Sequence, residues 1–165
     1  LSAVALLAAL YAYCGGSSSA WNAVALAHLP IYGVLNLVVY FSQVAILPRL
    51  MGTDAVATQA LVAQLTQFWP GSAMNVLNQM AYAVLGVPSI IWGVALARGH
   101  PSLAVAGRLL AANGAACIVG LIGVVAGSQV LGLGSVLGGV LFLLALAALA
   151  WSAWRGDIPA SLPVP

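Results

Sequence analysis

Residues 68–98 read FWPGSAMNVLNQMAYAVLGVPSIIWGVALAR, and the fold turns on them. Trp69-Pro70-Gly71 breaks the chain, and Ser72 after it is a helix-capping residue. Arg98-Gly99-His100-Pro101 supplies a terminal cation, a helix stop and a closing proline. Residues 73–97 between them are mostly apolar and carry no charge. A helix of about 25 residues crosses roughly 30 Å of hydrocarbon. Polar residues interrupt this span in a pattern. Asn75, Asn78, Gln79, Tyr82, Gly86, Ser89 and Gly93 recur at steps of three and four, which predicts one shared face. Lipid cannot hydrogen-bond an amide, so that face is expected to turn toward protein or water, with the other spans packed around it.

Composition points the same way. The 165-residue chain is 64% hydrophobic and 4% charged. A water-soluble domain carries about a quarter charged residues, so that class is excluded. Lys and Glu are absent, and the charges are Arg49, Arg98, Arg108, Arg155, Asp54 and Asp157. A net charge of +2 is too sparse for a nucleic-acid footprint. Without lysine there is no Schiff base, which excludes a retinal protein. Cys14 and Cys117 fall in different segments and match no metal motif, so they read as packed thiols. Neither a metal site nor a cofactor is expected.

The rest of the chain divides into further apolar segments. Residues 1–14 are apolar but too short to cross, and read as the tail of a span. A rival reading is a signal peptide ending at a lipoprotein-type Cys14, which the bulky Tyr13 before it disfavours. A Gly-Ser loop with an interfacial Trp21 follows. The next span is expected at about 23–47, ended by Pro48-Arg49, with Pro30 either kinking it or marking its first turn. Its His28, Tyr32, Asn36, Tyr40 and Gln43 form a second polar ribbon. Residues 53–68 are too polar to cross and predict an amphipathic interfacial helix capped by Thr53 or Asp54. Spans at 72–98, 102–127 and 130–154 complete the chain, with residues 158–165 as a flexible tail. Gly123-x-x-x-Gly127 and Gly134-x-x-x-Gly138 predict close approach of the last two helices. The expected fold is therefore all-α: one polytopic transmembrane helix bundle over residues 1–157, with four full spans, an N-terminal partial span and one interfacial helix. Alternate crossings place Arg98, Arg108 and Arg155 on one side, together with Trp21, Trp92, Trp151 and Trp154 as an aromatic belt. That side, with the C-terminus, is expected to be cytoplasmic.

Catalytic signatures are missing. Asp54 and Asp157 are expected on opposite sides, so they make no acid–base pair. No serine has an elbow-like setting beside a histidine and an aspartate. His28 is the one residue placed to ligate a haem or chlorin metal, set against a plain hydrogen-bonded histidine. The amides give two readings. Asn36, Gln43, Asn75, Asn78, Gln79 and Tyr82 either line a polar cavity for a small solute or lipid head group, or bond helix to helix. Arg108 either pairs with an anionic lipid head group or snorkels without a ligand.

The order Tyr40-Phe41-Ser42-Gln43, Pro48, Leu65-Thr66-Gln67, Pro70-Gly71, then Tyr82 and Leu85-Gly86, resembles uncharacterised bacterial multi-pass membrane proteins known only as domains of unknown function. The resemblance runs from Val38 to Arg98. It implies a bacterial inner-membrane protein of several spans and carries over no activity and no catalytic residue. The function expected is non-enzymatic: an accessory or structural subunit, or a small-ligand or lipid-binding membrane protein. Its partners would be membrane lipids and other subunits, with no nucleic acid. A small solute transporter or channel component is the alternative, and a pigment- or haem-binding subunit through His28 the third.

Overall fold

The computed structural model describes residues 2–14, 19–51 and 56–158. The Gly-Ser loop at 15–18, the expected capping residues Thr53 and Asp54, and the tail at 159–165 lie outside them. The described chain is an all-α bundle: α1 Ser2–Tyr13, α2 Ala20–Phe41, α3 Val56–Leu65, α4 Ala73–Gly99, α5 Ala104–Val125 and α6 Gly134–Trp154. Four segments are long and apolar enough to cross a membrane: Ala20–Leu50, Ala73–Gly99, Pro101–Val125 and Gln129–Trp154. This makes the chain a multi-pass membrane protein.

Local chemistry sets the boundaries. Helix α2 starts at Ala20 rather than residue 23, because the Ser19 hydroxyl accepts the Trp21 N–H at 3.3 Å. Pro30 lies inside it, past the first turn. The helix does not stop at Pro48. A π turn at Ser42–Ile46 lets Leu47 N–H donate to the Ser42 carbonyl, and the helix continues to Leu50. Proline lacks an N–H and crowds the carbonyl four residues back, and the wider turn absorbs that conflict. Ser72 caps α4 as expected, accepting Asn75 N–H at 3.0 Å. Helix α3 ends at Leu65, three residues before the expected 68, and none of its residues is buried. The chain reverses after it through Gly71 at φ 75°, a conformation open to glycine.

The spans form a row in the order α2, α4, α5, α6, with α1 lying against α2 and α4. The expectation that α4 alone is the hub is corrected, because α4 and α5 share the centre. Glycines join them. A methyl group on Gly86 would stand 2.7 Å from the Gly114 carbonyl oxygen, and one on Gly93 would stand 2.6 Å from that of Gly107. Both glycine pairs are seven residues apart on their helices, so the two backbones touch over two turns. Helix α6 docks on α5 through Gly134 against Gly120 and Gly138 against Cys117 and Asn113. Gly127 takes no part in this contact. It turns the chain at φ 66° with open space beside it, so the expected Gly123–Gly127 pair is replaced by Gly120 and Gly123.

The polar face expected on α4 divides in two. Gly86 and Gly93 meet α5, and Gln79 shares their seven-residue register. Leu85, Trp92 and Leu96 pack instead with Leu7 and Leu10 of α1 and Ala25 and Leu29 of α2, and Asn78 lies in that register. Trp92 is 0% exposed and donates its indole N–H to Asn22 Oδ1 at 3.1 Å, with the Tyr11 ring 6.2 Å away. It is therefore removed from the aromatic belt. Trp21, Trp151 and Trp154 stay exposed at that end, and Arg155 sits 5.1 Å over the Trp151 ring.

These contacts make a sharp forecast. Gly114→Leu should separate α4 from α5 and cost about 3 kcal/mol or more, because a backbone cannot yield as a side chain can. Gly139→Ala, which meets nothing within 4 Å, should leave the melting midpoint of the detergent-solubilised protein unchanged. Thermal melts followed by circular dichroism check both.

Candidate functional site

The residues singled out in the sequence fall into separate groups. Gln43, Asn75 and their neighbours build a clasp at the α3 end of the bundle. Gln43 Nε2 donates to the Leu65 carbonyl at 2.6 Å, and Gln43 Oε1 accepts Gln67 N–H at 3.2 Å. Asn75 Nδ2 donates to the Gln67 carbonyl at 3.1 Å. The Ser72 hydroxyl donates to the Thr66 carbonyl at 2.8 Å, and Gln64 Oε1 accepts Ala73 N–H at 3.1 Å. One side chain from α2 thus satisfies both a free donor and a free acceptor of the α3–α4 connection. Orphan backbone groups near lipid are costly, so the clasp fixes where α4 begins. It also holds the turn from which Phe68 and Trp69 project.

Asn78 and Gln79 are different. They are 8% and 9% exposed, and their side-chain oxygens are buried without a hydrogen-bond partner. Nothing in the described residues pairs with either amide. They are neither clasp nor helix-to-helix bond. The sequence marked them because an amide in an apolar run is unusual. It could not show that Asn78 falls in register with Leu85 and Trp92, and Gln79 with Gly86 and Gly93.

Asn36 and Tyr82 belong to a third group. Tyr82 and Tyr40 bring their hydroxyls close enough to interact across the α2–α4 contact. Asn36 Nδ2 approaches the Tyr32 hydroxyl without reaching hydrogen-bond geometry, and is buried with no other partner. Beside them a cleft of about 340 Å³ opens between α1 and α2, lined by Val4, Tyr32, Gly33, Asn36 and Tyr40 among others. Of the six residues expected to share one cavity, Asn36 lines this cleft. Tyr32 and Tyr40 join it there. The step of four from His28 through Tyr32 and Asn36 to Tyr40 was the signal for them.

Sequence reading also passed over a buried thread. The Ser89 hydroxyl donates to the Leu85 carbonyl at 2.9 Å. Asn113 Nδ2 donates to that hydroxyl at 3.2 Å, and Cys117 Sγ donates to Asn113 Oδ1 at 3.4 Å. All three residues are buried, and they stitch α4 to α5 beside Gly138 of α6. Cys117 is a packed thiol, as expected.

The remaining residues have plain geometry. His28 Nδ1 sits 2.7 Å from the Val24 carbonyl one turn back, which leaves Nε2 as the only nitrogen open to a metal. Among the described residues no three His, Cys, Asp or Glu side chains gather around a common point. Arg108 is exposed on α5, as a snorkelling arginine or one facing a head group would be. At the same end His100 Nδ1 meets the Ser102 hydroxyl at 2.8 Å, and that hydroxyl donates to the backbone carbonyl of Asp157 at 2.9 Å. The serine proton goes to a carbonyl rather than to histidine, and the carboxylate is not involved. The trio closes the helix ends and is not built for nucleophilic attack. No family model, curated protein or solved structure matches the chain.

The contrast between clasp and unpaired amides yields a prediction. Gln43→Leu should lower stability by about 2–4 kcal/mol, because it strands a backbone donor and an acceptor. Asn78→Leu should be neutral or stabilising by about 1 kcal/mol, because it removes an unsatisfied group. Unfolding of the two variants in a graded detergent series checks the difference in sign.

Proposed function

We propose that the chain is a non-enzymatic integral protein of a bacterial inner membrane, acting as an accessory or structural subunit that binds lipids and neighbouring subunits. The observation carrying this reading is the use made of its polar side chains. Gln43 and Asn75 are spent on backbone groups of the α3–α4 connection, and Ser89, Asn113 and Cys117 on one another. Such groups place helices rather than reactants. Arg98 and Arg155 at one end, with Arg108 near it, support a cytoplasmic C-terminus.

A second reading, a small solute transporter or channel component, is favoured by one feature. Asn78 and Gln79 are buried amides without partners, and intramembrane polar groups often mark a path. Purification in a mild detergent followed by native electrophoresis separates the two. An accessory subunit should run in an assembly several times the 16.6 kDa of the chain, with other proteins recovered in fixed ratio. A lone chain that gives saturable solute uptake in proteoliposomes, abolished by Asn78→Leu, would overturn that reading in favour of transport.

A further inference from the structure

We propose that Arg98 and Arg108 together hold the phosphate of an anionic phospholipid whose acyl chain lies along α5. The contact between α4 and α5 builds the site. A methyl group on Gly107 would stand 2.5 Å from the backbone nitrogen of Ala97, so the two backbones touch there. Arg98 follows Ala97, and Arg108 follows Gly107. Each residue turns a helix by about 100°. Because the two helices run antiparallel, that step carries both side chains to the same side of the pair. Both arginines are exposed. Leu96, one step before the contact, turns the other way and packs with α1 and α2. The arginines therefore lie on the side of α4 away from α1.

The two cations also converge in depth. Side chains on a helix lean toward its N-terminus. Arg98 sits in the last turn of α4 and leans inward along the span. Arg108 sits in the second turn of α5 and leans outward, toward the same end of the bundle. Two like charges brought to one level repel unless an anion lies between them. Among the described residues neither guanidinium has a hydrogen-bond or ion-pair partner. The other charges at this end are placed elsewhere. Arg155 lies over the Trp151 ring. Asp157, the one acid among the described residues, is tied to Ser102 through its backbone carbonyl.

The missing anion has a tail. Below Arg108 the same exposed face of α5 continues through Ala112, Ala115, Val119 and Ile122, at steps of four, three, four and three. The two alanines nearest the arginine leave a shallow lane, and no charge or amide interrupts it. An acyl chain fits that lane, and a phosphate diester accepts charge-assisted hydrogen bonds from both guanidinium groups. A zwitterionic lipid would bring its own ammonium to the two cations, so the pair selects against it. The inference rests on the lipid-binding part of the reading above. Its subunit part is tested by native electrophoresis, so the two can fail separately.

The experiment uses the full chain purified in detergent. It is mixed with equal amounts of phosphatidylglycerol and phosphatidylcholine carrying identical acyl chains, and retained lipids are counted by native mass spectrometry. Phosphatidylglycerol should be retained about five-fold or more over phosphatidylcholine. Arg98→Gln and Arg108→Gln should each cut that ratio about three-fold or more. Arg49→Gln, which removes the same charge at the other end of the bundle, should leave it unchanged. Excess inorganic phosphate should not displace the lipid, because it has no chain for the lane. Melting midpoints within a few degrees of the parent protein show that the variants fold. Equal retention of the two lipids, displacement by inorganic phosphate, or a preference that Arg49→Gln lowers as much as Arg108→Gln does, overturns the inference. So does an absent preference combined with an assembly that Arg108→Gln dissolves on native gels, since the pair would then belong to a neighbouring subunit.

Discussion

Two glycine pairs hold the centre of this molecule. In oil, apolar side chains gain nothing by leaving lipid for one another, so helices associate through close packing and a few polar bonds. Gly86 on Gly114 and Gly93 on Gly107 bring α4 and α5 into backbone contact. Their approach carries Ser89 and Asn113 within 3.2 Å, so the buried thread forms as a consequence. The same thread ends at Cys117 beside Gly138, which seats α6. Displacing α5 by the width of one methyl group would break all of these together.

Around that centre the chain meets one rule repeatedly: a polar group in hydrocarbon must find a partner or cost free energy. Gln43 finds two on the α3–α4 connection, and Asn22 finds the Trp92 indole. Asn78 and Gln79 find none among the described residues. Helix placement accounts for the first group. Helix placement leaves the unpaired amides unexplained.

Much of the fold was legible because hydropathy and length leave few options for a chain this apolar. The Ser72 cap, the close packing at Gly134 and Gly138, and the shared end of Arg98 and Arg155 all follow from local rules. Other features were not legible, for physical reasons. Pro48 looked like a stop, but a π turn accommodates it, and nothing in the local residue types announces that turn. Trp92 matched a belt position by depth alone, whereas its burial depends on α1 and α2 closing over it. Asn78 and Gln79 are adjacent in sequence, so spacing placed them together, although adjacent helical residues point about 100° apart. The candidate site was legible as a list of residue types. Which of them met was set by the packing of α2 against α4, and that information is non-local.

The central claim is that α4 and α5 touch through their backbones inside a bilayer. Solid-state NMR on glycine-labelled protein in lipid bilayers tests it most directly. The account predicts through-space cross-peaks between Gly86 and Gly114 and between Gly93 and Gly107. If these glycines instead show contacts to lipid acyl chains and none to each other, the account is contradicted.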